Sequence, residues 1–252
     1  MKNKIITKKK FLKINNKISH NLFKNNTYFK LYKVFLEKAL KKRLAHQTLW
    51  FGEPILQLPQ DLIIHQELIY QSKPDYFIEV GVAWSGSLLY YSSIFNIIGG
   101  KKIIGIDTYV PNEIVKKIKK FPKLKNKIEL IRGYSTDLRV LKKIKLKTKG
   151  SKKVIVHLDS DHSHENVLNE LKEFSKIIGK GSYLICGDTH VQFFNKNPHG
   201  NNKNYFKNNN PMTALKIFLK TKEGKKFRQD NTFQNRYFLT LNPFGILKKI
   251  KN

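Results

Sequence analysis

Four short segments carry the residues from which chemistry could be built: Glu79-Val80-Gly81-Val82-Ala83-Trp84-Ser85-Gly86-Ser87, then Asp107, then Asp159-Ser160-Asp161-His162, then Asp188. Carboxylates accept hydrogen bonds from ligand hydroxyls or hold a cation, and an imidazole takes up a proton near neutral pH. Asp107, Asp159 and Asp188 each close a run that reads as a strand; Asp137 follows another such run by four residues, and Asp161 stands two beyond Asp159. Any one of these serves equally well as a cap for the following helix or as a ligand. Several on one edge favour a site, because ligands of open α/β sheets bind in the crevice outside the carboxyl ends of the strands. Gly81 lets the chain turn tightly after a strand, and Gly86 with Ser87 can open a helix whose first N–H groups stay available to a ligand. The segment is not the G-x-G-x-x-G fingerprint, since Ala83 replaces the second Gly, so a dinucleotide pyrophosphate is less well served. Asp107 stands where a carboxylate accepts ribose hydroxyls. A nucleoside without a pyrophosphate fits this pair better than NAD does.

These residues must be positioned by a repeating scaffold. YFIEV (76–80), KKIIGID (101–107), KIELIRG (127–133), KVIVHLD (153–159) and GSYLICGD (181–188) read as strands, with helical periodicity between them at about 60–72, 86–97, 111–120, 136–148 and 163–178. Such alternation predicts a parallel sheet with helices on both faces. After Pro211, residues 212–222 read as a further helix, and FRQD (227–230) with RYFLTLN (236–242) as a closing hairpin-like pair. The Asn- and Lys-rich stretch 195–210 has no apolar period and reads as a loop.

The whole chain of 252 residues carries 49 Lys and Arg against 18 Asp and Glu, a net charge of +31. Residues 1–45 hold fourteen of the basic residues and one acid, Glu37. Within this arm Phe29, Leu31, Tyr32, Val34, Phe35 and Leu36 predict one apolar face of a helix running on to Leu44, which either packs on the body, the favoured reading, or lies on an anionic membrane. The division expected is a basic helical extension over 1–47 and a single α/β domain over 48–252. The surplus charge invites nucleic acid, yet the Lys-rich stretches 116–127 and 142–153 lie in or beside helices, where solvated faces explain them, and no nucleic-acid module is present. No specific nucleic-acid partner is therefore expected. Cys186 has no partner for a disulfide, and there is neither a run of about 18–20 apolar residues nor a signal-peptide core. A cytoplasmic location is expected, with the basic arm offering peripheral contact at the inner membrane; a homo-oligomer is left open.

FIEVGVAWSGSLLYYSS, IIGIDTY, IRGYSTD, VHLDSDHSHENVLNEL, GSYLICGDT and LTLNPFGILKKI, in that order, closely resemble the bacterial family known as cephalosporin hydroxylase, whose relatives include rhamnosyl and other sugar O-methyltransferases. The resemblance spans roughly 48–250 and opens with TLWFGEPILQLPQDL. It implies a Rossmann-like S-adenosylmethionine-binding fold: a mostly parallel seven-stranded sheet with an antiparallel last strand and helices on both faces. It also implies that Glu79 and Gly81 line the methionine and ribose side of the cofactor, Ser87 the helix start, Asp107 the ribose hydroxyls, and Gly133, Ser135 and Asp137 the adenine side. Tyr134 and Trp84 could stack on the cofactor but read more simply as core.

Asp159-Ser160-Asp161-His162 resembles the D-x-x-H of macrolide-sugar methyltransferases, which implies Asp159 as a Mg²⁺ ligand, His162 as the base and Asp188 as a second ligand. The bland reading of His162 is a helix-start residue. The implied activity is methyl transfer to a hydroxyl of a sugar or glycosylated metabolite. One departure weakens the metal site: the family usually has an acidic pair at the end of the fifth strand, where this chain has Gly187-Asp188, leaving Asp161, His190 or water to fill the gap. His164 and His190 otherwise read as surface or capping residues, and Cys186 as a small hydrophobe. Two other readings stand beside this one. The family label suggests an oxygenase, and His157-Leu158-Asp159 supplies the H-x-D of a non-heme iron triad, although the alternating pattern does not build the antiparallel fold that triad normally uses. The other is a non-catalytic basic protein that binds nucleic acid or membrane on the same fold.

Overall fold

The computed structural model describes residues 6–20, 22–151, 153–195 and 208–252. Two helices, α1 (Lys8–Ser19) and α2 (Asn26–Lys41), precede a small antiparallel pair, β1 (Thr48–Trp50) and β2 (Glu53–Ile55). The body then alternates: α3 (Pro59–Ser72), β3 (Tyr76–Val80), α4 (Gly86–Ile98), β4 (Lys102–Asp107), α5 (Asn112–Lys119), α6 (Pro122–Lys125), β5 (Ile128–Arg132), α7 (Leu138–Lys147), β6 (Val154–Leu158), α8 (His164–Phe174) and β7 (Tyr183–Cys186). It closes with α9 (Pro211–Lys220), β8 (Phe227–Gln229), α10 (Thr232–Tyr237) and β9 (Ile246–Lys249).

Seven strands form one sheet in the order β5-β4-β3-β6-β7-β9-β8. β9 runs antiparallel to both its neighbours; the other observed pairings are parallel. The central strands are apolar on both faces, as a sheet covered on both sides requires. One face packs Ile78, Val80, Ile104, Val156 and Leu184 against Leu171, Phe174 and Phe218; the other packs Phe77, Ile103, Ile155 and Ile185 against Leu68, Tyr91 and Phe95. The order reverses at β3, where one crossover leads to β4 and the other connection to β6, so the carboxyl ends of β3, β4 and β6 border the crevice expected of such a sheet.

The closing pair differs from the sequence reading. Phe227–Gln229 is a strand, but its partner is Ile246–Lys249, and residues 236–242 are the end of α10 followed by irregular chain. The alternation in RYFLTLN is overridden by the buried carboxylate of Asp61 on α3, which accepts from the Thr240 hydroxyl and, at 2.9 Å, from the Leu241 N–H. Those hydrogen bonds supply partners that a sheet neighbour would otherwise provide. Residues 196–207, most of the expected loop 195–210, lie outside the described residues.

The N-terminal helices sit on the body. Tyr32, Leu36 and Leu40 of α2 are buried with Leu58, Phe194 and Leu241, and the Tyr32 hydroxyl donates to Thr240 O at 2.8 Å. The carboxamide of Asn235 holds the link between the helices, donating to His20 O at 2.6 Å and accepting from the Phe23 N–H at 3.4 Å. Among the described residues no helix is long and apolar enough to cross a membrane.

Candidate active site

A crevice of about 810 Å³ lies at the carboxyl ends of the strands, within the range of small-molecule sites. Glu79, Gly81, Ser87, Asp107, Gly133, Ser135, Asp159, His162 and Asp188 all line it, together with Asp161 and, from the end of the N-terminal extension, Arg43 and His46.

Gly81 has φ +91°, and a Cβ there would lie 2.1 Å from the carbonyl oxygen of Asp159. The close approach follows from the ladder: Gly81 N–H donates to Ile106 O and Asp159 N–H to Val80 O, each at 2.8 Å, so three strand ends converge on one glycine. Beside it the Asp107 carboxylate is fixed by backbone donors, accepting from Val82 N at 2.8 Å, Ala83 N at 3.4 Å and Tyr109 N at 3.0 Å. A carboxylate has about four acceptor sites. One therefore stays available on the crevice side, which suits a ligand hydroxyl.

Glu79 and His157 are register partners on β3 and β6 and share a face. Both are buried; the Ser87 hydroxyl donates to Glu79 at 2.6 Å, and His157 Nδ1 lies 3.7 Å from the same side chain. Burial pushes the Glu79 carboxyl up, an effect only partly offset by His157 and Ser87. Burial alone would lower the His157 pKa, but the charges of Asp159 and Glu79 outweigh it and raise it.

Asp159, His162 and Asp188 form the polar end. One ligand atom from each lies within 4.8 Å of the others, and His162 Nε2 is 3.3 Å from Asp188 Oδ2. Ligand atoms bound at about 2.1 Å to one Mg²⁺ stand no more than about 4.2 Å apart, so atoms within 4.8 Å of one another would hold a single divalent cation after at most a small inward movement of the side chains. Gln57 donates to Asp159 Oδ2 at 3.2 Å, while its own buried carbonyl oxygen has no hydrogen-bond partner among the described residues. The absence of an acid at 187 is built into the packing. A Cβ on Gly187 would lie 2.5 Å from Leu158 O and 2.9 Å from Asp159 Oδ1, so a glutamate could enter only if the strand ends moved.

A family model described as rhamnosyl O-methyltransferase/CmcI matches residues 42–250. The chain belongs to that family. Among curated proteins it is 28% identical over 146 residues to the rhamnosyl O-methyltransferase of Mycobacterium leprae (strain TN), a match covering 57% of this chain and 61% of that protein. Against the rhamnosyl O-methyltransferase of Mycobacterium tuberculosis (strain ATCC 25618 / H37Rv) it is 26% identical over 147 residues, 58% of each chain. The match thus spans about three fifths of these relatives. A solved apo-structure of CmcI superposes with a TM-score of 0.57 at 19% identity, covering 82% of this chain and 78% of that one. A CmcI structure described as Mg-SAM gives 0.57 and 19%, over 81% and 77%. These likenesses establish a methyltransferase-type Rossmann-like fold.

Not every residue singled out from sequence reaches the crevice. Asp137 is exposed and caps α7, accepting from Arg139 N at 2.7 Å, and it is absent from the crevice lining. His164 bonds Thr213 Oγ1 at 2.8 Å, and His190 is buried with Nδ1 2.9 Å from Leu241 O. Trp84 and Tyr134, read as core, stand exposed at the rim, with the Lys117 ammonium 5.2 Å above the Trp84 ring. Cys186 is a buried small hydrophobe, its thiol pKa pushed up by burial.

Gln57 and Glu170 were missed. The only sequence signal for Glu170 is its place in the motif that follows His162, and its partners are remote: one oxygen accepts from Ser135 Oγ at 2.5 Å and from Ser160 Oγ at 2.8 Å. It is fully buried, and burial raises its pKa against the lowering effect of these hydroxyls. It therefore ties the segment after β5 to the segment after β6. Glu170→Ala leaves two hydroxyls without their acceptor and is expected to cost about 2–4 kcal/mol in denaturant unfolding. Glu170→Gln keeps the acceptor and should lose less than half of that. Equal losses would show that burial rather than bridging sets the effect.

Proposed function

We propose that this chain is an S-adenosylmethionine-dependent O-methyltransferase acting on a hydroxyl of a sugar or glycosylated metabolite, assisted by Mg²⁺. The domain over 48–252 carries the reaction and 1–47 is an appended arm. The observation that carries the reading is the convergence of Asp107, Asp159, His162 and Asp188 on one crevice at the reversal point of the sheet. Family membership and the names of the curated relatives support the activity and the saccharide acceptor.

When bound, S-adenosylmethionine supplies a sulfonium-activated methyl carbon, and the cation supplies Lewis acidity that lowers the pKa of an acceptor hydroxyl. Asp159 and Asp188 would hold the cation; two carboxylates with water suffice for Mg²⁺, so Gly187 does not preclude it. His162 takes the hydroxyl proton at a ring nitrogen, and Asp188, 3.3 Å from Nε2, orients the ring. Asp107 accepts the ribose hydroxyls, Gly81 opens the floor beside them, and Glu79 and Ser87 form the methionine side. Gly133 and Ser135 border the adenine. Asp137, outside the crevice lining, contributes by capping α7.

S-adenosylmethionine or its demethylated product at about 100 times its Kd should stabilise the protein by about 2.7 kcal/mol, raising the melting temperature by roughly 5–10 °C. The check is a thermal-shift series with each ligand, with and without Mg²⁺ and chelator. No shift with either ligand in any condition overturns the proposal. A shift together with turnover that is indifferent to chelator removes the metal alone.

A further inference from the structure

The N-terminal helices expose apolar side chains that the body has no use for. On α1 no residue is buried, and Phe11, Ile14 and Ile18 share one face at helical spacing, with Phe11 53% and Ile18 76% exposed. Asn15 and Ser19, the part-buried residues of the helix, lie between this face and Leu12, which is itself 38% exposed. Lys9, Lys10, Lys13 and Lys17 follow one another around the remaining arc. On α2 the apolar sector is wider than its seat. Tyr32, Leu36 and Leu40 are buried, while Leu31, Val34 and Phe35 stay about half exposed on the outward side beside Lys38. Grouped exposed apolar residues of this kind mark an interaction surface.

The charge of the same segment selects the occupant. Residues 1–45 carry fourteen Lys and Arg against one acid, so a second copy of the arm would bring two strongly positive surfaces together. A nucleic acid would satisfy the lysines but give no role to Phe11, Ile18, Leu31 and Phe35. An anionic bilayer satisfies both sets, with lysines at the headgroup phosphates and apolar side chains at the acyl boundary, the pattern of a helix lying in the interface plane. We infer that α1 and the outward side of α2 dock the protein on an anionic lipid surface without crossing it. The docking needs neither the cofactor nor the crevice, so its failure and that of the methyl-transfer reading are separable.

The test is co-sedimentation of the full chain with phosphatidylglycerol/phosphatidylcholine vesicles and with phosphatidylcholine alone, at low and high salt. Binding is expected to the anionic vesicles only and to fall with salt. Ile18→Glu combined with Leu31→Glu, and separately Lys9→Gln with Lys13→Gln and Lys17→Gln, should each lower the partition coefficient by about tenfold or more. These side chains are exposed, so melting temperature and the S-adenosylmethionine shift should not change. No binding of the unaltered protein to anionic vesicles overturns the inference. So does binding that survives the glutamate pair, or retention on RNA that the glutamate pair leaves intact while vesicle binding is absent. Concentration-dependent self-association abolished by the glutamate pair, without vesicle binding, would assign the surface to a second copy instead.

Discussion

Replacing His162 by alanine is expected to lower methyl transfer by about 10²–10⁴-fold, the usual contribution of a positioned general base. The imidazole lines the crevice, its Nε2 is 3.3 Å from Asp188, and Asp159 completes a triangle of ligand atoms within 4.8 Å. If His162 acts on the proton rather than holding the cation, His162→Ala retains both the cofactor-induced and the Mg²⁺-induced thermal shifts while turnover falls. Asp159→Ala should lose turnover and the Mg²⁺ response together, because no neighbouring acid at 187 can replace it. Steady-state turnover and thermal shift on the two variants separate these roles. Turnover that survives both substitutions removes them from the chemistry, and loss of the Mg²⁺ response in His162→Ala reassigns that ring as a ligand.

Gly81→Ala is expected to be among the most damaging single-methyl changes in the chain. The added carbon would meet the Asp159 carbonyl oxygen at 2.1 Å, and φ of +91° is a conformation that L side chains rarely adopt. Backbone strain of about 1–2 kcal/mol adds to about 1–3 kcal/mol of overpacking. The melting temperature should fall by about 10 °C. Relief of the clash must move the β6 end, so Asp159 shifts and cofactor binding weakens as well. Differential scanning calorimetry and a cofactor titration measure the two effects. An unchanged melting temperature would mean that the strand ends are looser than their hydrogen bonds indicate.

Much of the site was legible because strand ends are locally encoded. A short apolar run ending in Asp places that carboxylate at the sheet's edge whatever the order of the strands, which is why Asp107, Asp159 and Asp188 were found together. Gly187 could be read as a departure from the family pattern; only its packing against Leu158 shows why a larger residue is excluded. Asp137 caps α7 and is outside the crevice lining; a four-residue offset after a strand is compatible with a cofactor contact and with a helix cap, and only the folded chain shows the cap. The rim positions of Trp84 and Tyr134 likewise depend on which way each loop turns.

The sequence by itself determined the alternation of strands and helices, the family, the acids at the strand ends and the basic character of the arm. Each is written in local period, motif or composition, and none requires knowing which strand lies beside which. The tertiary structure alone decided that Glu79 neighbours His157, that Gln57 reaches Asp159 across 102 residues, and that Glu170 joins Ser135 to Ser160. It also moved the closing strand from 236–242 to 246–249 and left the apolar side chains of α1 exposed. Register and docking are set by long-range packing and by the need to partner every buried polar group. A linear pattern therefore states which faces must be covered, and only the folded chain settles what covers them.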